Sequence, residues 1–140
     1  MTTYGTAVWK GGLKDGIGAI STKSGALKDH PYGFAARFEG GPGTNPEELI
    51  GGAHAGCFTM ALSLILGEAG FTATEMNTKA EITLIKDGDG FTITKSHLTL
   101  RAKIPGIDAA KFQELAGMAE KGCPVSKVLK AQISLDAALV

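Results

Sequence analysis

An α+β fold, with antiparallel sheets wrapped around a buried central helix, is predicted by three features of the sequence. Segments of period-two and helical spacing follow one another in the order β-β-β-α-β-β-α-β. The run Asn45 to Gly67 is apolar or small on every face, so its helix is expected to be buried all round. The chain has 140 residues, enough for a single domain (residues 1–140) around one core.

Residues 3–10 alternate loosely through Tyr4, Ala7 and Trp9, and Gly11-Gly12 ends the run. Ile17 to Thr22 is a second strand, with Lys14-Asp15-Gly16 as the turn between them. Tyr32 to Glu39 alternates more clearly and predicts a third strand. Tyr32, Phe34, Ala36 and Phe38 take one face, and Arg37 and Glu39 take the other. Gly40-Gly41-Pro42-Gly43 then feeds the central helix.

That helix opens with clear start signals. Thr44 or Asn45 can cap it, Pro46 suits the first helical position, and Glu47 and Glu48 complement the positive end of its dipole. Gly67 and Gly70 offer places to stop. Thr78 to Lys86 and Phe91 to Ile104 are long strands joined by Asp87-Gly88-Asp89-Gly90, a strong hairpin signal. Asp108 caps a second helix with an apolar stripe of Ala109, Phe112, Leu115, Ala116 and Ala119. Gly122-Cys123-Pro124 stops it. Residues 125–129 form a bend or a short helical turn, and Ala131 to Leu135 is the last strand. One sheet covers only one side of an all-round apolar helix, so a second copy of the chain is expected on the other side, as an obligate homodimer.

The 14 basic residues balance the 14 acidic ones, which gives no broad field to attract nucleic acid or an anionic membrane. The central run contains His54, Thr59, Ser63 and several glycines, so it reads as a core helix rather than a bilayer span. The N-terminus has no basic stretch followed by an apolar one, and a cytoplasmic location is expected. Scattered His30, His54 and His97, with no paired cysteine motif, argue against a zinc site.

Cys57 and Cys123 lie 66 positions apart and are expected to be free thiols in a reducing cytoplasm. Cys57, near the middle of the helix, reads either as a small core hydrophobe or as a nucleophile. Cys123 sits on irregular backbone, where it can meet a partner. A reactive thiol needs a nearby positive charge to hold its thiolate. Arg37 is the best candidate, and its planar guanidinium could hold a thiolate and a peroxide oxygen together. A buried arginine needs a carboxylate, and Glu47 is the candidate. On a continuous helix Glu47 and Cys57 are roughly 15 Å apart along the axis. One site using both therefore needs either a break at Gly51-Gly52 or a carboxylate from a partner subunit, and the partner is the favoured source. His54 could serve as a base or as a hydrogen-bonded core residue. Phe34, Phe38, Phe58 and Met60 could line an apolar substrate pocket or belong to the core.

Several motifs occur together. They are Pro31-Tyr32-Gly33-Phe34 with Arg37-Phe38-Glu39-Gly40, Gly43-Thr44-Asn45-Pro46-Glu47-Glu48-Leu49-Ile50, His54-Ala55-Gly56-Cys57-Phe58 and Gly122-Cys123-Pro124-Val125-Ser126. With them the chain resembles, over nearly its whole length, the osmotically inducible protein C (OsmC) family, sister group of the organic hydroperoxide resistance proteins. The resemblance implies the OsmC-like fold, an intertwined homodimer and active sites at the dimer interface. It implies a thiol-dependent peroxidase, serving oxidative and osmotic stress defence, that reduces organic hydroperoxides and, more weakly, hydrogen peroxide. Cys57 would be the peroxidatic cysteine, Cys123 the resolving one, Arg37 the thiolate activator and Glu47 the residue that orients the arginine. Cys57 would pass through a sulfenic acid to an intrasubunit Cys57–Cys123 disulfide, and an external dithiol or lipoylated protein would reset it. No metal, haem or flavin is required.

Two other readings compete. One is a non-enzymatic stress protein that binds an apolar small molecule and uses its cysteines as redox sensors. The other is a hydrolase that pairs Cys57 with His54, for which no oxyanion-hole motif or orienting carboxylate can be assigned.

Overall fold

The computed structural model describes Met1–Val140. Two compact units divide the chain, Met1–Leu49 and Ile50–Val140.

The first unit holds a three-stranded antiparallel sheet of β1 (Gly5–Lys10), β2 (Ile17–Thr22) and β3 (His30–Tyr32). Trp9, Gly18 and Tyr32 are paired across its three strands. The two rings close over Gly18, where a Cβ would come within 2.5 Å of Tyr32 and 2.7 Å of Trp9. They also touch each other edge-on, with centroids 5.5 Å apart.

The expected strand over residues 32–39 is not formed. The third strand ends at Tyr32, and a short helix, α1 (Phe34–Phe38), replaces the rest. The alternating pattern is ambiguous, because Phe34 and Phe38 are also one helical turn apart. Their rings meet at 5.0 Å between centroids. Backbone N–H groups of Glu39 and Gly41 both donate to Ala35 O and close the turn. The difference matters for Arg37. A strand would turn it away from the phenylalanines, whereas the helix groups it with them.

Helix α2 (Pro46–Glu68) starts where its cap signals place it. Asn45 Oδ1 accepts the Glu48 N–H at 2.8 Å, and Asn45 Nδ2 donates to Ala36 O.

In the second unit α2 lies with β4 (Glu75–Asp87), β5 (Gly90–Lys103), α3 (Ala109–Gly122), α4 (Pro124–Val128) and β6 (Gln132–Leu139). β4 and β5 form the expected antiparallel hairpin with a bulge opposite Thr83/Leu84, and the sheet order is β4-β5-β6. β6 runs parallel to β5, so the sheets are not antiparallel throughout. The crossover through α3 and α4 carries the chain back before β6 begins, which is how parallel neighbours are joined. Asp108 caps α3 by accepting the Lys111 N–H. Of the expected stripe, Phe112, Leu115, Ala116 and Ala119 are buried, while Ala109 at the first turn is exposed.

The core joins Phe58, Leu62 and Leu66 of α2 to Leu98, Leu100 and Ala102 of β5 and to the α3 stripe. Gly51 lets α2 approach β4, since a Cβ there would stand 3.0 Å from Ala80 O. Thr59 Oγ1 ties the helix to Thr78 Oγ1 at 2.6 Å. The expectation that α2 is buried all round does not hold within one chain. Gly51, His54, Phe58, Leu62 and Leu66 are buried, but Met60 and Leu64 are 76% and 64% exposed. By length and composition α2 could also cross a bilayer. Its packed stripe is that of a core helix.

Candidate active site

The residues singled out in the sequence form two clusters, one in each unit. In the first, Arg37 grips Glu47. Arg37 Nη2 donates to Glu47 Oε1 at 2.6 Å, and Nε donates to Oε1 and Oε2 at 3.1 and 3.2 Å. Glu47 is nearly buried, and its carboxylate faces the guanidinium edge in the paired geometry that arginine favours. α1 supplies the arginine and the first turn of α2 supplies the carboxylate. Arg37 also lies over the Phe38 ring, 5.3 Å from its centroid. Beside it is a small cavity of about 170 Å³, lined by Trp9, Leu13, Tyr32, Gly33, Phe34, Arg37, Phe38 and Pro46. Phe34 and Phe38 thus line an apolar hollow with one cationic wall. Phe58 does not join them, because it is fully buried in the core of the second unit. Met60 lies on the exposed face of α2 and borders a broader groove that runs to β4.

The second cluster holds both thiols, which are free. The start of α4 brings them together. Cys123 ends α3, donating its backbone N–H to Ala119 O, and caps α4, with Pro124 at the first helical position. Consecutive amides then reach the two sulfurs. Val125 N–H donates to Cys57 Sγ at 3.5 Å, and Ser126 N–H donates to Cys123 Sγ at 3.3 Å. Burial pushes the Cys57 thiol up from its ordinary value, the Val125 N–H pulls it down, and a hydrogen bond and charge from Cys123 push it up again. None of these influences is a cation. The thiols are therefore neighbours, but nothing acting on Cys57 here holds it as a thiolate.

His54, also on α2, has a different role from that of a base for Cys57. Its Nδ1 is 2.6 Å from Ser96 Oγ and its Nε2 is 2.8 Å from Ser126 Oγ. Both ring nitrogens are thus engaged by hydroxyls, which leaves the hydrolase pairing without its base. Burial lowers the His54 pKa, which favours the neutral ring. The sequence alone gives neither Ser96 nor Ser126 a role in the site. The available signal for Ser126 was its place three residues after Cys123 with proline between, the spacing of a helix cap and its amide. Ser96 gave no signal of its own. Its place in β5, in step with Leu98 and Leu100, turns it inward. No cluster of three or more His, Cys, Asp or Glu side chains could hold a metal ion.

Comparison with known proteins identifies the family and the fold. Residues 39–138 match the family model described as OsmC-like protein. The chain is 58% identical to peroxiredoxin OsmC of Escherichia coli (strain K12) over 132 residues, 94% of this chain and 92% of that protein. It is 31% identical to the organic hydroperoxide resistance protein OhrB of Bacillus subtilis (strain 168) over 120 residues, 84% of this chain and 85% of that one. The crystal structure of OhrB from Bacillus subtilis superposes with a TM-score of 0.73 at 29% identity, covering 100% of this chain and 98% of that one. An OsmC-like protein from Mycoplasma pneumoniae, only 16% identical, has the same fold, with a TM-score of 0.76 over 100% of this chain and 98% of that one. The fold is that of the OsmC and organic hydroperoxide resistance proteins, and the chain belongs to the OsmC-like protein family.

Proposed function

We propose that the protein is a thiol peroxidase that reduces organic hydroperoxides to alcohols, with Cys57 as the peroxidatic residue and Cys123 as the resolving one. The observation that carries this reading is the pairing of the two thiols at the start of α4, each receiving its own backbone N–H. The relatives named peroxiredoxin OsmC and organic hydroperoxide resistance protein support it.

The cycle has three balanced steps. The Cys57 thiolate attacks the terminal peroxide oxygen. The O–O bond breaks, the alkoxide takes a proton to leave as alcohol, and Cys57 becomes a sulfenic acid. The Cys123 sulfur then forms the S–S bond, the S–O bond of Cys57 breaks, and the oxygen leaves as water with the thiol's proton. An external dithiol, free or carried as a lipoyl group, exchanges with the disulfide, is itself oxidised, and returns both thiols. The apolar hollow beside Arg37 favours hydroperoxides with an organic tail over hydrogen peroxide.

The first step needs a thiolate, and burial opposes it. α2 is unbroken from Pro46 to Glu68, so a helix break does not bring Glu47 to the Cys57 of its own chain. We therefore assign the guanidinium at Cys57 to Arg37 of a second copy, held by that copy's Glu47. The exposed apolar face of α2, with Met60 and Leu64, is the surface such a homodimer would cover. The proposed site of action is the cytoplasm, as part of stress defence.

The test is stopped-flow thiol loss of the reduced protein with substoichiometric cumene hydroperoxide, followed by intact-mass analysis. The expected result is fast loss of both thiols and a mass decrease of about two daltons per chain, for one disulfide. Cys57→Ser should not react. A rate no faster than that of a free model thiol overturns the reading.

A further inference from the structure

Outside the two thiols and the arginine pair, the molecule holds one buried titratable group that the peroxidase cycle leaves unused. His54 is fully buried, and its ring stands between two buried serines. One of those serines continues the chain to sulfur. Cys123 Sγ is 3.1 Å from Ser126 Oγ. The sequence of contacts is therefore Ser96, His54, Ser126, Cys123, and it joins β5, α2 and α4 to the resolving thiol.

We infer that His54 is a positioning residue for Cys123, acting through Ser126, and that its ring tautomer sets whether the Cys123 sulfur donates to the Ser126 hydroxyl or accepts from it. A neutral imidazole donates at one nitrogen and accepts at the other. With the proton on Nδ1, the ring donates to Ser96 and accepts the Ser126 hydroxyl proton at Nε2. Ser126 Oγ is then left to accept from the Cys123 thiol. With the proton on Nε2, the ring donates to Ser126, whose hydroxyl proton turns to the sulfur. Together with the Ser126 N–H, that hydroxyl gives a thiolate two donors. The first arrangement suits resting Cys123. The second suits its attack on the Cys57 sulfenic acid, when the S–S bond forms, the S–O bond breaks and the thiol proton ends on the departing water. This role rests on the proposed peroxidase cycle.

The same geometry could serve only to satisfy polar groups in the core, so the test must read more than stability. The titratable groups acting on this chain of contacts are Cys57 and His54, both on α2. From β5 and α4 the partners are the hydroxyls of Ser96 and Ser126, and from α3 the Ala119 carbonyl accepts the Cys123 N–H. Cys57→Ser therefore serves as the common background, and the pH profile of Cys123 alkylation is measured in it. Ser126→Ala removes a thiolate donor and should move the midpoint up, by about half to one pH unit. Ser96→Ala acts oppositely. A buried N–H without an acceptor is worse than an unbonded lone pair, so the ring should shift to the Nε2–H form and the midpoint should move down. In His54→Gln, the effect of Ser96→Ala should vanish. Equal midpoints in all variants, or a Ser96→Ala effect that persists without the histidine, overturns the proposal.

Nitrogen NMR of the His54 ring, in the same background with every contact intact, gives an independent reading should a serine variant fail to fold. The expected change is from Nδ1–H to Nε2–H as Cys123 loses its proton. A tautomer that is constant through that titration overturns the proposal as well. Neither measurement uses peroxide. A Cys57 inert to hydroperoxide removes the peroxidase reading, and the disulfide role with it, whereas the link from His54 to Cys123 is decided separately.

Discussion

Arg37 and Glu47 are bound by three hydrogen bonds, the shortest at 2.6 Å, with the arginine supplied by a helix of only five residues. So short a helix has little stability of its own. The near-buried carboxylate is what fixes the guanidinium. Hydrogen bonds to charged groups contribute about 1.5–3 kcal/mol, which corresponds to about 10- to 100-fold in rate where the arginine must be held in place. Glu47→Ala should slow oxidation of Cys57 by that factor in the stopped-flow thiol assay. Arg37→Lys should not rescue the rate, since an ammonium cannot span Glu47 and a second anion in one plane. Wild-type rates in either variant would remove the pair from the mechanism.

The buried imidazole should leave a mark on stability. His54 has its pKa lowered from 6.5 by burial. The unfolded chain therefore binds the proton more readily than the folded one. Between the folded and unfolded values the unfolded state holds more protons, so stability rises with pH there and is lost as pH falls below about 6.5. Urea midpoints measured down through that range should decline, and His54→Gln should flatten the part of the slope that histidine causes. An identical slope in the variant would show that other groups carry the acid sensitivity.

Two glycines within helices should behave oppositely. Gly51 is tightly placed, because a methyl group would stand 3.0 Å from the Ala80 carbonyl oxygen of β4. Gly51→Ala should lower stability by about 1–3 kcal/mol, the usual range for overpacking. Gly117, inside α3, has nothing within 4 Å of the position a Cβ would take. Gly117→Ala should raise stability by about 0.5–1 kcal/mol by restoring helix propensity. Denaturant midpoints compare the two, and equal effects would contradict the close approach of α2 to β4.

The contrast between those glycines shows what a sequence conceals. Gly51 and Gly52 look alike in the chain and suggested a possible break in the helix, yet α2 passes through both, and only Gly51 meets another strand. The α2 cap at Asn45, the α3 cap at Asp108 and the β4–β5 hairpin were legible because each depends on a few adjacent residues. The identity of residues 34–38 was not. Phe34 and Phe38 satisfy a strand alternation and a helical turn equally, and only hydrogen bonding at Ala35 O decides between them. The parallel placement of β6 depends on where a long crossover returns, which no local pattern encodes. Both cysteines and the Arg37–Glu47 pair could be named from residue type and resemblance. The serines around His54 are ordinary residues in sequence and gain their role only from three elements meeting.

In the proposed peroxidase cycle, the helical form of residues 34–38 should also bear on which peroxides react. It puts Phe34, Arg37 and Phe38 on one small hollow, so an apolar tail and a charged oxygen can be held side by side. Phe34→Ala or Phe38→Ala removes much of that apolar wall. Losing the burial of part of an aromatic face costs about 1–2 kcal/mol of binding, roughly 5- to 30-fold in rate. The loss should appear with cumene hydroperoxide. Hydrogen peroxide has no tail to bury, and its rate should change far less. The ratio of the two second-order rates, measured with the same protein preparation, separates a binding role from general damage. A parallel fall in both rates would mean that the phenylalanines support α1 and Arg37 rather than the substrate.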